Sequence, residues 1–104
     1  MKHKVVVLSG SIRFWGKIQE MHERLELENK FVVIGITPHV MPRDFTLEEE
    51  DLLDELHREK IQLADALYVV NVDGYIGNST RSEIEFAKQL GKEIIYLEPL
   101  STLA

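Results

Sequence analysis

The chain has no cysteine, only three prolines among its 104 residues, no excess of basic charge and no apolar run long enough to cross a bilayer. Each shortage removes a class of function. Without cysteine there is no disulfide, no Cys–Zn centre and no thiol nucleophile. Twelve Lys and Arg stand against eighteen Asp and Glu, giving a net charge of −6 and a pI near 5.2. That balance argues against a nucleic-acid polymer as partner, because polyanion affinity comes from clustered cations releasing counterions. It leaves room for one small phosphorylated molecule. The opening Met1-Lys2-His3-Lys4 leads into no signal-length apolar stretch, so a cytoplasmic protein without a membrane partner is expected. His3, His22, His39 and His57 are scattered, with no His-x-x-x-His pair. No metal and no cofactor are therefore expected.

What the chain does have is a regular alternation. Val5-Val6-Val7-Leu8 is an unbroken apolar run halted by Ser9-Gly10-Ser11, the pattern of a strand buried on both faces and then a tight turn. From Phe14 to about Glu28, apolar residues at Phe14, Ile18, Met21, Leu25 and Leu27 recur at near-helical spacing. Phe31 to Ile36 reads as a second strand, ending before Thr37-Pro38. After an irregular stretch, Thr46-Leu47-Glu48-Glu49 has the capping-box form. It opens a second helix, with Leu52, Leu53, Leu56, Ile61 and Leu63 as the expected buried stripe and Glu48 to Asp51 as a solvated start. Ala66 to Val70 is a third strand. A loop with two glycines follows, and Ser79 or Ser82 is expected to cap a third helix whose apolar side is Ile84, Phe86, Ala87 and Leu90. Gly91 stops it, and Ile94 to Leu97 makes a fourth strand before Pro99.

The order β-α-β-α-β-α-β over residues 1–104 predicts a single α/β domain, a three-layer sandwich around a four-stranded parallel sheet of flavodoxin or Rossmann type. A chain of this size buries about 65% of the surface it exposes when unfolded, enough for one core. The expected strand order is 2-1-3-4. The direction of winding then reverses between strands one and three, which places a ligand crevice at their carboxyl ends. Ser9 to Arg13 and Asn71 to Glu83 fall around that crevice.

Two segments there carry chemistry. Ser9-Gly10-Ser11-Ile12-Arg13 offers helix-start amides, hydroxyls and one guanidinium, a compact anion site. The same residues also read as a glycine turn with serine caps and a surface arginine. In Asp73-Gly74-Tyr75-Ile76-Gly77-Asn78-Ser79-Thr80-Arg81-Ser82-Glu83, the glycines let the backbone approach a ligand and Glu83 lies near a helix start. It reads either as a cleft carboxylate or as a favourable helix-start charge. His39 follows strand two at the same sheet edge, as a cleft residue or a loop surface residue. His57, late in helix two, either balances the helix dipole or faces the cleft.

These pieces together resemble the nucleoside 2-deoxyribosyltransferase superfamily, including its 2′-deoxynucleoside 5′-phosphate N-hydrolase branch. The matching stretches are Gly10-Ser11-Ile12-Arg13, Ala64-Asp65-Ala66, and Ser79-Thr80-x-x-Glu83-Ile84-x-x-Ala87-x-x-x-Gly91-Lys92. The resemblance implies a nucleoside deoxyribosyltransferase-like domain that cleaves the N-glycosidic bond of a nucleoside 5′-monophosphate. It implies Glu83 as nucleophile on the anomeric carbon, Ser11 and Arg13 as phosphate ligands, and a homodimer or higher homo-oligomer. Catalytic roles are expected for Glu83, His57 and Asp73, and substrate contacts for Ser9, Gly10, Ser11, Arg13, His39, Asn71, Gly77, Asn78 and Ser79. Deoxyribosyl transfer between bases and nucleotide binding without turnover are the competing readings. The chain departs from the family at His57, where an Asp is common, and at Glu85, where Glu-Ile-Gly is typical.

Overall fold

The computed structural model describes residues 2–38 and 43–100. Strands β1 (Val5–Ser9), β2 (Val32–Ile34), β3 (Ala66–Val69) and β4 (Glu93–Tyr96) alternate with helices α1 (Trp15–Leu27), α2 (Leu47–Leu63) and α3 (Asn78–Gln89). All strand pairs are parallel, in the order β2-β1-β3-β4. The expected fold class and strand order are therefore the observed ones.

Alternation along β1 explains its unbroken apolar run. Val5 and Val7 pack with Ile61, Leu67, Val69, Ile84 and Ala87 beneath α2 and α3. Val6 and Leu8 pack with Ile18, Met21, Leu25, Tyr68 and Val70 beneath α1. Both sides of the strand face a core, so neither side is polar. Asp65 fixes the register of the two central strands: its carboxylate accepts from the Val5 amide at 2.8 Å, and its own amide donates to the Val5 carbonyl at 2.7 Å.

The α2 start follows from its sequence. The Thr46 hydroxyl accepts from the Glu49 amide at 3.1 Å, and the Glu49 carboxylate accepts from the Thr46 amide at 2.9 Å. The same carboxylate takes two bonds from Arg43, at 2.8 and 3.0 Å. The guanidinium bonds, aided by the Thr46 amide, hold Glu49 down at a pKa of about 2.

Three expectations need correction. Leu52, Leu56 and Leu63 are exposed, and the α2 face turned to the core carries Leu53, His57, Ile61 and, just beyond the helix, Ala64. A single helix face spans a limited arc, and five leucines and isoleucines at those positions fall on two adjacent faces. Neither serine caps α3: the helix starts at Asn78 behind Gly77, whose carbonyl accepts from Arg81 at 2.9 Å. Ser79 and Ser82 are thereby released from capping. The second strand is also shorter than its apolar run, because Phe31 and Ile36 pack on the α1 core outside the ladder.

Candidate active site

The carboxyl ends of β1 and β3 meet the N-terminus of α3 and the middle of α2. Ser9, the last residue of β1, is fully buried and its hydroxyl donates to Glu83 Oε1. His57 approaches the same oxygen from α2, with Nε2 at 3.3 Å. This nitrogen is buried and, among the described residues, has no aligned hydrogen-bond partner. Glu83 stands on the second turn of α3 with its side chain 22% exposed. One carboxylate oxygen is thus flanked by a hydroxyl and an imidazole, each from a different element. Such a carboxylate is held by its bonded oxygen, and its other oxygen faces the open side.

Two chambers open beside it. The first, about 190 Å³, lies between the β1 exit and α2 and takes in Ile12, Ile36, Phe45, Leu53 and His57, with Glu83 and Ser79 on its wall. The second, about 260 Å³, lies between α2 and the start of α3 and is lined by Asp54, Arg58, Asn78, Ser79, Ser82 and Glu83. Asp54, Ser79 and Glu83 belong to both.

The β1 exit closes tightly on β3. A Cβ at Gly10 would lie 3.1 Å from the Val70 carbonyl oxygen and 3.3 Å from the Val70 Cβ, so only glycine fits without a shift of backbone. Ser11 caps the following 3₁₀ turn (Ile12–Phe14), its hydroxyl accepting from the Arg13 amide at 3.3 Å. The Arg13 guanidinium lies 4.1 Å from the Tyr75 ring centroid, and Phe14 meets that ring edge-on at 5.9 Å. Tyr75 in turn reaches the space beside Gly77. Arg13 is therefore close to the N-terminus of α3 but is stacked on an aromatic ring.

The structure brings Ser9, Gly10, His57, Asn78, Ser79 and Glu83 to the two chambers. Two other sequence candidates are held elsewhere. The fully buried Asn71 amide donates to the Glu98 carbonyl and accepts from the Glu98 amide, both at 2.9 Å. Asp73 has a positive φ of 55° and its amide donates to the Glu98 carboxylate at 2.7 Å. Both serve to tie the β3 exit to the chain beyond β4. His39 lies outside the described residues.

Sequence reasoning missed Asp54 and Arg58. The signal was available: His57 at a cleft position puts residue 54 one turn away on the same side of α2. The helix was phased on its leucines instead. Among the described residues no three His, Asp or Glu side chains converge as a metal site would require, and no helix is long and apolar enough to cross a membrane.

No protein-family model matches the sequence, and no curated protein matches it. Among solved structures, the 2-deoxyribosyltransferase of the psychrotolerant bacterium Bacillus psychrosaccharolyticus is similar, with a TM-score of 0.72 and 15% identity, over 96% of this chain and 76% of that one. That enzyme is described as a biocatalyst for the synthesis of nucleosides. At this identity the likeness is one of architecture: the chain has the fold of a 2-deoxyribosyltransferase.

Proposed function

We propose that the chain is an enzyme of the nucleoside 2-deoxyribosyltransferase superfamily that breaks the N-glycosidic bond of a nucleoside or its 5′-monophosphate, with Glu83 as nucleophile. The observation that carries this reading is the Glu83 carboxylate, bonded by the Ser9 hydroxyl with His57 Nε2 beside it, on the wall shared by the two chambers. A carboxylate so placed can attack an oxocarbenium-like anomeric carbon, forming a glycosyl-enzyme ester as the base departs. Water then cleaves the ester and returns the carboxylate. Ser9 donates to the attacking group and keeps one lone pair occupied, which fixes its direction. His57, which lines the chamber between the β1 exit and α2, is suited to give a proton to the departing base and to take one from the incoming water.

The 5′-phosphate fits the strand-end loops. Arg13, in the turn that Ser11 caps, stacks on Tyr75, and Tyr75 lies beside Gly77 at the α3 start, where free amides and the helix dipole favour an anion. Arg13 exchanges its ring contact for the phosphate in this reading. Leu52, Leu56 and Leu63 form an exposed apolar stripe on α2, which supports a homodimer, tested by sedimentation.

Incubation with a panel of nucleosides and nucleoside 5′-monophosphates, with release of free base followed by chromatography, tests the proposal. Base release that falls by at least about 10³-fold in Glu83→Gln is expected for loss of a nucleophile. Release at the wild-type rate in that variant removes the assignment. The name of the structural neighbour favours transfer as the second reading. A second base added to the assay separates the two, because transfer converts it to a new nucleoside and hydrolysis leaves it unchanged.

A further inference from the structure

We infer that Lys60 is a positioning residue of the cleft: its ammonium holds the chain leaving β2, and that chain forms one wall of the chamber beside Glu83. That this wall meets a substrate rests on the proposed glycosidic reading; that Lys60 holds it does not.

β1 pairs with β3 as far as Ser9 and Val69, but with β2 only as far as Val7 and Ile34. β2 therefore leaves the ladder two residues before β1 ends. Gly35, Ile36 and Thr37 lie past the end of that register, where the evenly spaced bonds of a parallel pair no longer fix the chain. Ile36 and Thr37 nevertheless line the chamber of about 190 Å³ between the β1 exit and α2. A wall outside the ladder needs another support.

Two helices supply it, one from each layer. On the α1 side, a Cβ at Gly35 would lie 3.3 Å from His22 Nδ1 and 3.4 Å from its Cε1, so glycine lets the imidazole press close to the backbone. On the α2 side, Lys60 Nζ donates to the Gly35 carbonyl at 3.2 Å and to the Thr37 hydroxyl at 3.4 Å. These two acceptors flank Ile36, which packs on the α1 core. One cation thus ties both sides of the residue that carries the wall.

The direction of α2 explains why a lysine can do this. The helix joins parallel strands β2 and β3, so its last turn lies toward their amino ends and its start toward the cleft. Helical side chains lean toward the helix N-terminus, and a long stem in the last turn runs back toward the β2 exit. Lys60 also has the charge that favours a helix C-terminus. That role needs only charge, whereas the two bonds need reach and donors. His57 stands one turn earlier on the same helix. The element that brings an imidazole to Glu83 therefore also sets where the β2 wall stands.

Three variants test the assignment: Lys60→Met, Lys60→Gln, whose donor is one atom short of the lysine reach, and Lys60→Arg, which keeps reach and donors. NMR order parameters of the Ile36 and Thr37 amides are expected to fall from the rigid value of about 0.85 to below about 0.6 in the Met and Gln variants. Val6, Val7 and Leu67, inside the ladder, keep theirs, and Lys60→Arg matches wild type. With a nucleoside 5′-monophosphate that wild type turns over, KM rises about tenfold in the Met and Gln variants, the value of one bond to a charged group. Their kcat stays within about twofold, because a loosened wall weakens ground-state and transition-state binding alike, and Lys60→Arg restores KM. A charge acting only on the helix dipole moves neither the order parameters nor KM. Unchanged order parameters in both variants, a fall spread over the ladder residues, or a lost kcat with unchanged KM overturns the inference. Wild type that releases no base from any nucleotide defeats the glycosidic reading, and the order parameters then decide the role of Lys60 by themselves.

Discussion

Ser9 and Asn71 sit at the carboxyl ends of neighbouring strands, and both are fully buried polar residues. Their partners differ. Asn71 spends donor and acceptor on the backbone of Glu98, closing a two-bond bridge that joins the β3 exit to the segment after β4. Ser9 spends its proton on a side-chain carboxylate at the wall of two chambers. A buried polar group answered by backbone is a strut. One answered by an ionisable group that also faces open space is part of a site.

That contrast can be broken from either side. Asn71→Ala leaves the Glu98 amide and carbonyl without their partners, and a loss of about 2–3 kcal/mol is expected in urea unfolding, with unchanged turnover per folded molecule. A stable variant with lost turnover would place Asn71 in the site. Ser9→Ala is expected to act the other way. Turnover falls by about tenfold, the value of one bond to a charged group, while the unfolding midpoint moves little because Glu83 keeps access to water. Equal damage to stability would make Ser9 a strut as well. His57→Gln keeps a polar side chain beside Glu83 but cannot gain and lose a proton, and a fall of about 10²-fold in turnover with an unchanged unfolding midpoint is expected.

The smallest effect lies at the α2 start, whose Arg43–Glu49 pair lines neither chamber. Glu49 has its pKa lowered to about 2, so its pairing stabilises the fold above the ordinary carboxylate pKa near 4.3 and is lost as pH falls through about 2. Glu49→Gln therefore lowers the melting temperature slightly at pH 7, and by much less near pH 2. A difference that persists undiminished at pH 2 would point to the capping geometry in place of the charge.

Strand order, the capping box and the placing of Glu83 were legible because each rests on local pattern plus a chirality rule: buried strands, alternating helices, right-handed crossovers. What was not legible depended on tertiary choice. At 100° per residue Leu52, Leu56 and Leu63 share an arc of about 40°, and Leu53, His57 and Ile61 share another of about 80° beside it. Both are coherent stripes, and hydropathy favours the leucines; the sheet took the face that carries a histidine. Asn71 and Asp73 looked like cleft residues by position, but their partner is Glu98, which the sequence places 25 or more residues away. The α3 cap was misread for a related reason. Serines favour N-caps in isolation, but here the helix begins one residue before Ser79, at Asn78, behind a glycine packed against Tyr75.

The central claim is that Glu83 bonds to the sugar. Mass spectrometry of peptides from protein quenched during turnover of a slow nucleotide substrate tests it most directly. The account predicts a sugar-phosphate ester on Glu83 that disappears on longer incubation, when the substrate is exhausted. Turnover with an adduct on another residue, or base release with no adduct under conditions that trap an ester, would contradict it.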